Sequence, residues 1–133
     1  MPTTATVRSE TRTRTIAAPP SAVLDVLGDA RNLPRWAPAF ARSVRQSGDH
    51  WVVDSGAGEL VVDLRVAREQ GTVDLTSSTD RRRGAFLRVL PNADGSECLF
   101  TLFFGDGTPD EAVAAQMATV EDELARIASL AEA

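Results

Sequence analysis

Residues 16–38, IAAPPSAVLDVLGDARNLPRWAP, decide how this chain folds, because they interrupt a sequence that otherwise has the pattern of β-strands. A proline pair fits a first helical turn, apolar residues follow at helical spacing, and Gly28 is a plausible end. Asp29 can then cap a second short helix, which ends near Trp36 because Pro38 disfavours helix at the residue before it. The stretch therefore predicts two short helices between one strand and a long run of further strands.

Hydrophobic residues alternate with period two on both sides of this stretch, which is typical of strands. Residues 6–16 are the first candidate, and polar side chains occupy both of its faces. Six further candidates lie between Phe40 and Phe104: FARSVRQ, HWVVD, ELVVDLRVARE, TVDLTSST, AFLRVLP and SECLFTLFF. Since only short turn signals separate these six, we expect an antiparallel meander.

The two strands with the clearest alternation assign the faces of the sheet. The side chains expected to face inward are Leu60, Val62, Leu64 and Val66 in one strand and Cys98, Phe100, Leu102 and Phe104 in the other. Those expected to face outward are Val61, Asp63 and Arg65 in the first strand and Glu97, Leu99, Thr101 and Phe103 in the second.

The residues after Gly107 predict one long helix. Thr108, Pro109 and Glu111 fit a capping box, with threonine at N-cap, proline at N1 and glutamate at N3. An apolar stripe follows at steps of three and four residues: Val113, Met117, Val120, Leu124, Ile127 and Ala131. Asp122 is four residues before Arg126 on the polar face, a spacing that allows a weak surface ion pair.

Length and composition limit the classes of protein to consider. The 133 residues suit one domain, 1–133, and the net charge of −5 argues against a nucleic-acid binder. All 14 basic residues are arginine, which excludes lysine Schiff-base chemistry, and there is no tyrosine. The amino-terminal residues lack the apolar core of a signal peptide, and no apolar run reaches the length of a membrane span. We therefore expect a cytoplasmic protein without membrane insertion.

Few residues suggest chemistry by themselves. His50 lies at a predicted turn, where a solvated histidine is ordinary, and Cys98 is expected to be a buried structural thiol. One histidine and one cysteine in separate strands do not make a zinc site, so we expect neither a metal nor a cofactor. The glycines at 56 and 58 fit a tight turn, because no helix follows to bind a phosphate. Residues 81–83, three arginines at a hairpin tip, are interpreted as a solvated turn in preference to a site for an anion.

The opening of the chain resembles the START-like superfamily, also called SRPBCC. In residues 13–38, TRTIAAPPSAVLDVLGDARNLPRWAP, the matching positions are Ile16, Ala18, Pro19, Val23, Asp29, Trp36 and Pro38. Residues 86–104, FLRVLPNADGSECLFTLFF, with the long helix after them, are similar to small bacterial polyketide cyclase/dehydrase-like members. The resemblance implies an α+β helix-grip fold, in which a seven-stranded antiparallel sheet curves around the last helix and two short helices close one end.

The resemblance also implies a cavity between the sheet and the last helix that receives an apolar or aromatic small molecule. Fold does not fix function, so three interpretations stay open. The first is ligand binding alone, the second is a polyketide aromatase/cyclase-type enzyme acting on a poly-keto substrate, and the third is an interaction module whose cavity is filled. The lack of tyrosine and the single histidine weakly disfavour the enzyme. An exposed apolar sheet face, with Leu99 and Phe103, would permit a homodimer.

Candidate ligand-binding residues are those that would line such a cavity, although each is equally explained as core. The apolar candidates are Trp36, Phe40, Trp51, Leu64, Phe86, Phe100, Leu102, Met117 and Val120. Arg14 and Arg88 are the best candidates for polar anchors, because an arginine that points inward needs a carboxylate, an anion or a carbonyl as its partner. If their strand faces look outward, both arginines simply reach water.

Overall fold

The computed structural model describes residues 4–133, so Met1, Pro2 and Thr3 of the expected domain lie outside the described residues. The helices are α1 (Pro20–Leu27), α2 (Leu33–Trp36) and α3 (Asp110–Glu132), and a 3₁₀ turn (Ala30–Asn32) joins the first two. The strands are β1 (Arg8–Ile16), β2 (Ser43–Ser47), β3 (His50–Asp54), β4 (Glu59–Ala67), β5 (Thr72–Ser77), β6 (Gly84–Asn92) and β7 (Gly95–Phe104). Both the predicted element order and the helix-grip architecture are confirmed.

All seven strands form one antiparallel sheet in the order β1-β7-β6-β5-β4-β3-β2. The five short connections after β2 build a meander, as predicted, and β1 pairs with β7 along its whole length, with Arg14 opposite Cys98. Because β1 and β2 occupy opposite edges of the sheet, the segment that contains α1 and α2 must cross from one edge to the other. Those two short helices therefore cover one end of the sheet.

Helix α3 packs against the concave side of the sheet and contacts α1, α2, β1 and β7. Its predicted apolar stripe is confirmed, because Val113, Met117, Val120, Leu124 and Ile127 are at most 2% exposed. The predicted surface pair is present as well, with Arg126 Nε 2.8 Å from Asp122 Oδ2.

The predicted capping box of α3 is wrong. The helix begins at Asp110, its N-cap is Pro109, and no side chain of residues 4–133 caps it. The Thr108 hydroxyl instead donates to the Gly105 carbonyl oxygen at 2.7 Å, inside the turn that precedes the helix. The acidic side chains of Asp110 and Glu111 lie in the first turn, where negative charge favours the positive end of the helix dipole.

The predicted faces of the sheet are confirmed for the central strands. Val62, Cys98 and Phe100 are buried on the concave side, whereas Phe103 is 50% exposed. Leu60 is the exception on the inward set, since it is 48% exposed next to the open turn that precedes β4. The concave side of the sheet and the stripe of α3 thus enclose the main hydrophobic core.

We expect Ile127→Ala to lower the free energy of unfolding by about 2–5 kcal/mol, because it leaves a cavity in a fully buried part of this core. Leu90→Ala is the matched control, since Leu90 is 47% exposed and its truncation should cost less than about 1 kcal/mol. Urea unfolding measures both differences. Equal losses in the two variants would contradict the packing described for α3.

Candidate functional site

The described residues line two cavities that open on the concave side of the sheet. The first, which we call the inner cavity, has a volume of about 460 Å³ and lies between the sheet, α2 and α3. Its apolar wall includes Trp36, Phe40, Leu75, Phe100, Leu102 and Phe104. The second, the side hollow, has a volume of about 680 Å³ and lies between the turn after α1 and strands β2 to β4. The position of the inner cavity, between sheet and long helix, is the one that the sequence resemblance implied.

Four of the predicted lining residues meet in the inner cavity. Trp36 comes from the end of α2, Phe40 from the turn that follows, and Phe100 and Leu102 from β7. Trp36 is 3% exposed and meets Phe100 edge to face, with ring centroids 6.3 Å apart. Such a contact fixes both rings, so this part of the wall is preformed.

The inner cavity also contains an acid that the sequence analysis missed. Glu123 of α3 lines the cavity, is 6% exposed, and has neither a hydrogen-bond partner nor an ion-pair partner among the described residues. Burial raises the pKa of its carboxyl group to about 7, and the negative charge of Asp122 acts in the same direction. The signal was present in the sequence, because Glu123 is three residues after Val120 and four before Ile127 and so shares their face.

Two other polar groups around the inner cavity already have partners. The Thr76 hydroxyl oxygen accepts a hydrogen bond from Arg65 at 3.0 Å, and the Ser77 hydroxyl pairs with Thr79. The indole N–H of Trp36 is buried without an acceptor, the one such side-chain atom in residues 4–133. A buried N–H without an acceptor costs about 1–3 kcal/mol, so the indole of Trp36 destabilises this part of the cavity wall relative to a hydrogen-bonded one.

The side hollow holds two further predicted residues, Trp51 and Leu64. Its rim is polar, and the charges there are already paired: Arg31 lies 2.9 Å from Asp29, and Arg45 lies 3.3 Å from Glu59. Asp29 also accepts from the Arg31 backbone N–H and so caps the 3₁₀ turn Ala30–Asn32. The predicted cap of the second short helix is therefore displaced to this turn, since α2 itself has Asn32 at its N-cap and no side-chain hydrogen bond there among the described residues. Hydrogen bonds with Arg31 lower the pKa of the Asp29 carboxyl group.

Neither predicted arginine anchor lines a cavity. Arg14 shares the concave face with Cys98, but β1 is an edge strand and the Arg14 side chain is exposed there. Arg88 lies on the convex face, where its guanidinium donates to Asp74 at 2.9 Å. The placement of both residues in the cavity is therefore corrected, because strand register gives one an open edge and the other the outer face.

Three apolar candidates also lie elsewhere. Phe86 is on the convex face and packs edge to face against Phe103, with centroids 5.6 Å apart. Met117 and Val120 are at most 1% exposed in the core under α3 and line neither cavity. The alternation in β6 allowed either register for Phe86, and the spacing of α3 could not separate core positions from cavity positions.

His50 and Cys98 do not form a catalytic pair. His50 begins β3 and contacts Asp63 on the convex face, with its side chain half exposed. Cys98 is fully buried in β7, and burial raises the pKa of its thiol to about 12, which keeps it protonated at neutral pH. In residues 4–133, no group of three histidine, cysteine or acidic side chains is arranged to hold a metal ion. No helix in the same range is long and apolar enough to cross a membrane.

The family model described as polyketide cyclase/dehydrase and lipid transport matches residues 8–132. No curated protein sequence matches the chain. Among solved structures, a putative uncharacterised protein from Bacillus thuringiensis is 15% identical, with 95% of this chain and 100% of that chain covered and a TM-score of 0.73.

Two other similar structures have informative descriptions. The Zhui aromatase/cyclase from Streptomyces sp. R1128 is 18% identical, with 96% of this chain and 94% of that chain covered and a TM-score of 0.66. Ara h 8.0201 is 13% identical, with 95% of this chain and 98% of that chain covered and a TM-score of 0.63. At these identities the likeness shows the fold alone.

We expect Glu123 to make stability fall as pH rises. A carboxyl group whose pKa is higher in the folded state binds more protons there, so its penalty is absent below pH 4.5 and complete above pH 7. The shift corresponds to roughly 3 kcal/mol. Urea unfolding at pH 5 and pH 8 should show this loss, and Glu123→Gln should abolish it, whereas the exposed control Glu111→Gln should retain it. An unchanged slope in Glu123→Gln would contradict the burial described for this acid.

Proposed function

The chain belongs to the polyketide cyclase/dehydrase and lipid transport family, and on this premise we propose that it binds an apolar or aromatic small molecule in the inner cavity. The match covers nearly the whole chain and confirms the START-like, SRPBCC relationship predicted from the sequence. The family and its neighbours indicate a hydrophobic ligand-binding fold. Which molecule binds is inferred below from the shape and lining of the cavity.

The shape and lining of the inner cavity carry this proposal. A volume of about 460 Å³ lies within the range of roughly 300–1,000 Å³ for small-molecule sites. Aromatic rings of Trp36, Phe40 and Phe100 line the cavity. Burial of an apolar molecule against such walls gains about 25 cal/mol for each Å² removed from water. The side hollow is less suited, because its rim is polar and its charges are paired.

The entrance of the inner cavity supports the same conclusion. Leu60 of the concave face, with Val61 and Phe103 of the convex face, borders the opening of the cavity, and each of the three is more than 40% exposed. Large apolar side chains that remain exposed next to a cavity favour contact with an apolar molecule on its way in. At Gly84, which also lines the cavity, the backbones of β5 and β6 lie close together, because a Cβ added at this residue would lie 2.1 Å from the Leu75 carbonyl oxygen.

A second candidate function is an enzyme of the polyketide aromatase/cyclase type, and Glu123 is the observation that favours it. A carboxyl group with a pKa near neutrality can take up and release protons at working pH. Among the described lining residues, however, no second acid or base accompanies Glu123, and Arg83 at the rim is the only other charged group. Binding therefore remains the function that the site supports best.

We expect N-phenyl-1-naphthylamine, a diarylamine that stays uncharged, to bind with a rise in its fluorescence. Ala85→Phe should weaken this binding at least about tenfold, because the new ring fills space in the inner cavity. Thr13→Phe is the matched control: it places the same ring on an exposed strand position outside both cavities and should leave affinity unchanged. Thermal unfolding checks that both variants fold.

Equal affinity in Ala85→Phe and the original chain would place the probe elsewhere and contradict the proposal. Loss of affinity in both variants would contradict it too, since Thr13 lines neither cavity. A fluorescence titration at one pH is sufficient for this comparison.

A further inference from the structure

Glu123 is an acid for which the protein supplies no partner. The residue is 6% exposed, and no described residue donates to its carboxyl group or accepts from it. Trp36 Nε1 is the one fully buried side-chain atom without a partner in residues 4–133, so the Glu123 carboxyl oxygens remain accessible from the cavity. A buried charge is costly unless it is paired, and most buried neutral polar groups have a hydrogen-bond partner as well. Because Glu123 lines the inner cavity, the natural partner is whatever occupies that cavity.

The charges around Glu123 make a cation the more favourable partner. Helix α3 is packed against α1, α2, β1 and β7, and no charged side chain of those four elements lines the inner cavity. Their charged residues are Asp25 on α1, Arg35 on α2, Arg8, Glu10, Arg12 and Arg14 on β1, and Glu97 on β7. Of those on β1, Arg8 is 2.8 Å from Asp110 and Arg12 is 3.5 Å from Glu121, both on α3.

Two nearby charges remain to be weighed. The charge of Asp122, next to Glu123 on α3, opposes ionisation of Glu123 and attracts a cation, but Arg126 lies 2.8 Å from the Asp122 carboxylate and offsets most of this attraction. Arg83, from the loop between β5 and β6, lines the cavity rim and acts in the opposite direction. Its side chain is exposed, so water screens its charge far more than it screens a buried charge. The net charge of −5 favours the approach of a cation as well.

The aromatic wall is suited to a substituted ammonium group. Trp36, Phe40 and Phe100 line the same cavity as Glu123, and the faces of such rings attract cations. A tertiary ammonium group has one N–H donor, which needs one acceptor, while its methyl groups need apolar or aromatic contact. One carboxylate and several rings meet those needs without leaving a donor unpaired.

We propose that the inner cavity binds an apolar or aromatic molecule that carries a tertiary ammonium group, whose N–H donates to the Glu123 carboxylate. This inference rests on the proposed function, because it assigns the occupant of the same cavity. It makes Glu123 the residue that determines specificity, and the aromatic rings supply the apolar part of the affinity. No bond is made or broken in this binding step.

Three naphthalenes of nearly equal shape test the inference. N,N-dimethyl-1-(2-naphthyl)methanamine carries the tertiary ammonium group, 2-isobutylnaphthalene replaces it with carbon, and 1-(2-naphthyl)propan-2-one replaces it with a ketone. Each competes with N-phenyl-1-naphthylamine for the full chain at pH 6 and pH 8. The variants are Glu123→Gln, Arg83→Ala and, as a control with the same change of net charge, Glu111→Gln.

We expect the amine to bind at pH 8 about tenfold more tightly than the hydrocarbon, because a desolvated cation–carboxylate contact adds to the same apolar burial. Its affinity should fall about tenfold from pH 8 to pH 6, since protonation of Glu123, with its pKa raised to about 7, removes the charge. Glu123→Gln should abolish both differences and spare the hydrocarbon. Arg83→Ala should strengthen amine binding, and Glu111→Gln should behave as the original chain.

Three results would overturn the inference. If the hydrocarbon binds but the amine is no tighter at pH 8, or if Glu123→Gln leaves the amine unaffected, the inference fails and the proposed function stands. A ketone preferred to both others at pH 6 would assign Glu123 as a neutral donor instead and would also overturn the inference. If none of the three probes binds, the proposed function itself fails and the inference with it.

Discussion

The packing of α3 against the concave side of the sheet is the interaction on which the rest of the structure depends. It buries the apolar stripe of the helix and brings the last element of the chain onto β1 and β7, the first and last strands. The ion pairs from Arg8 and Arg12 to α3 lie along that same edge. Where the sheet curves away from the helix, contact gives way to the inner cavity, with Trp36 of α2 in its wall.

Features of the fold that come from a periodic sequence pattern could be predicted. Features that depend on the register of a single strand or on the geometry of a single turn could not. Alternation in β4 and β7 and the stripe of α3 gave their inward faces, because each is repeated over several residues. Arg88 and Phe86 were misplaced because β6 has apolar residues on both faces, so its pattern fits either register. The cap of α3 was misplaced by one residue, since Thr108 has a competing partner in the preceding turn.

The candidate site shows the same division. Trp36, Phe40, Phe100 and Leu102 were expected to meet, and they line one cavity. The sequence could not show that Met117 and Val120 are packed in the core and do not line a cavity. Helix periodicity predicts which face is buried, but it does not predict whether that face meets packed side chains or a cavity. Glu123 was overlooked although it shares the buried face, and it is the residue that distinguishes this cavity from a plain apolar core. Because no described residue pairs with the Glu123 carboxyl group, this residue is the basis for proposing which chemical class of ligand the cavity binds.

The central claim is that ligands enter the inner cavity and not the side hollow, and the two tryptophans report on it separately. Trp36 lines the inner cavity and Trp51 lines the side hollow, and the chain has no other tryptophan. Titration of ¹⁵N-labelled protein with 2-isobutylnaphthalene, observed through the two indole N–H signals, therefore tests the claim directly. The account predicts that the Trp36 signal shifts and the Trp51 signal stays in place. A shift of Trp51 with an unchanged Trp36 would contradict it.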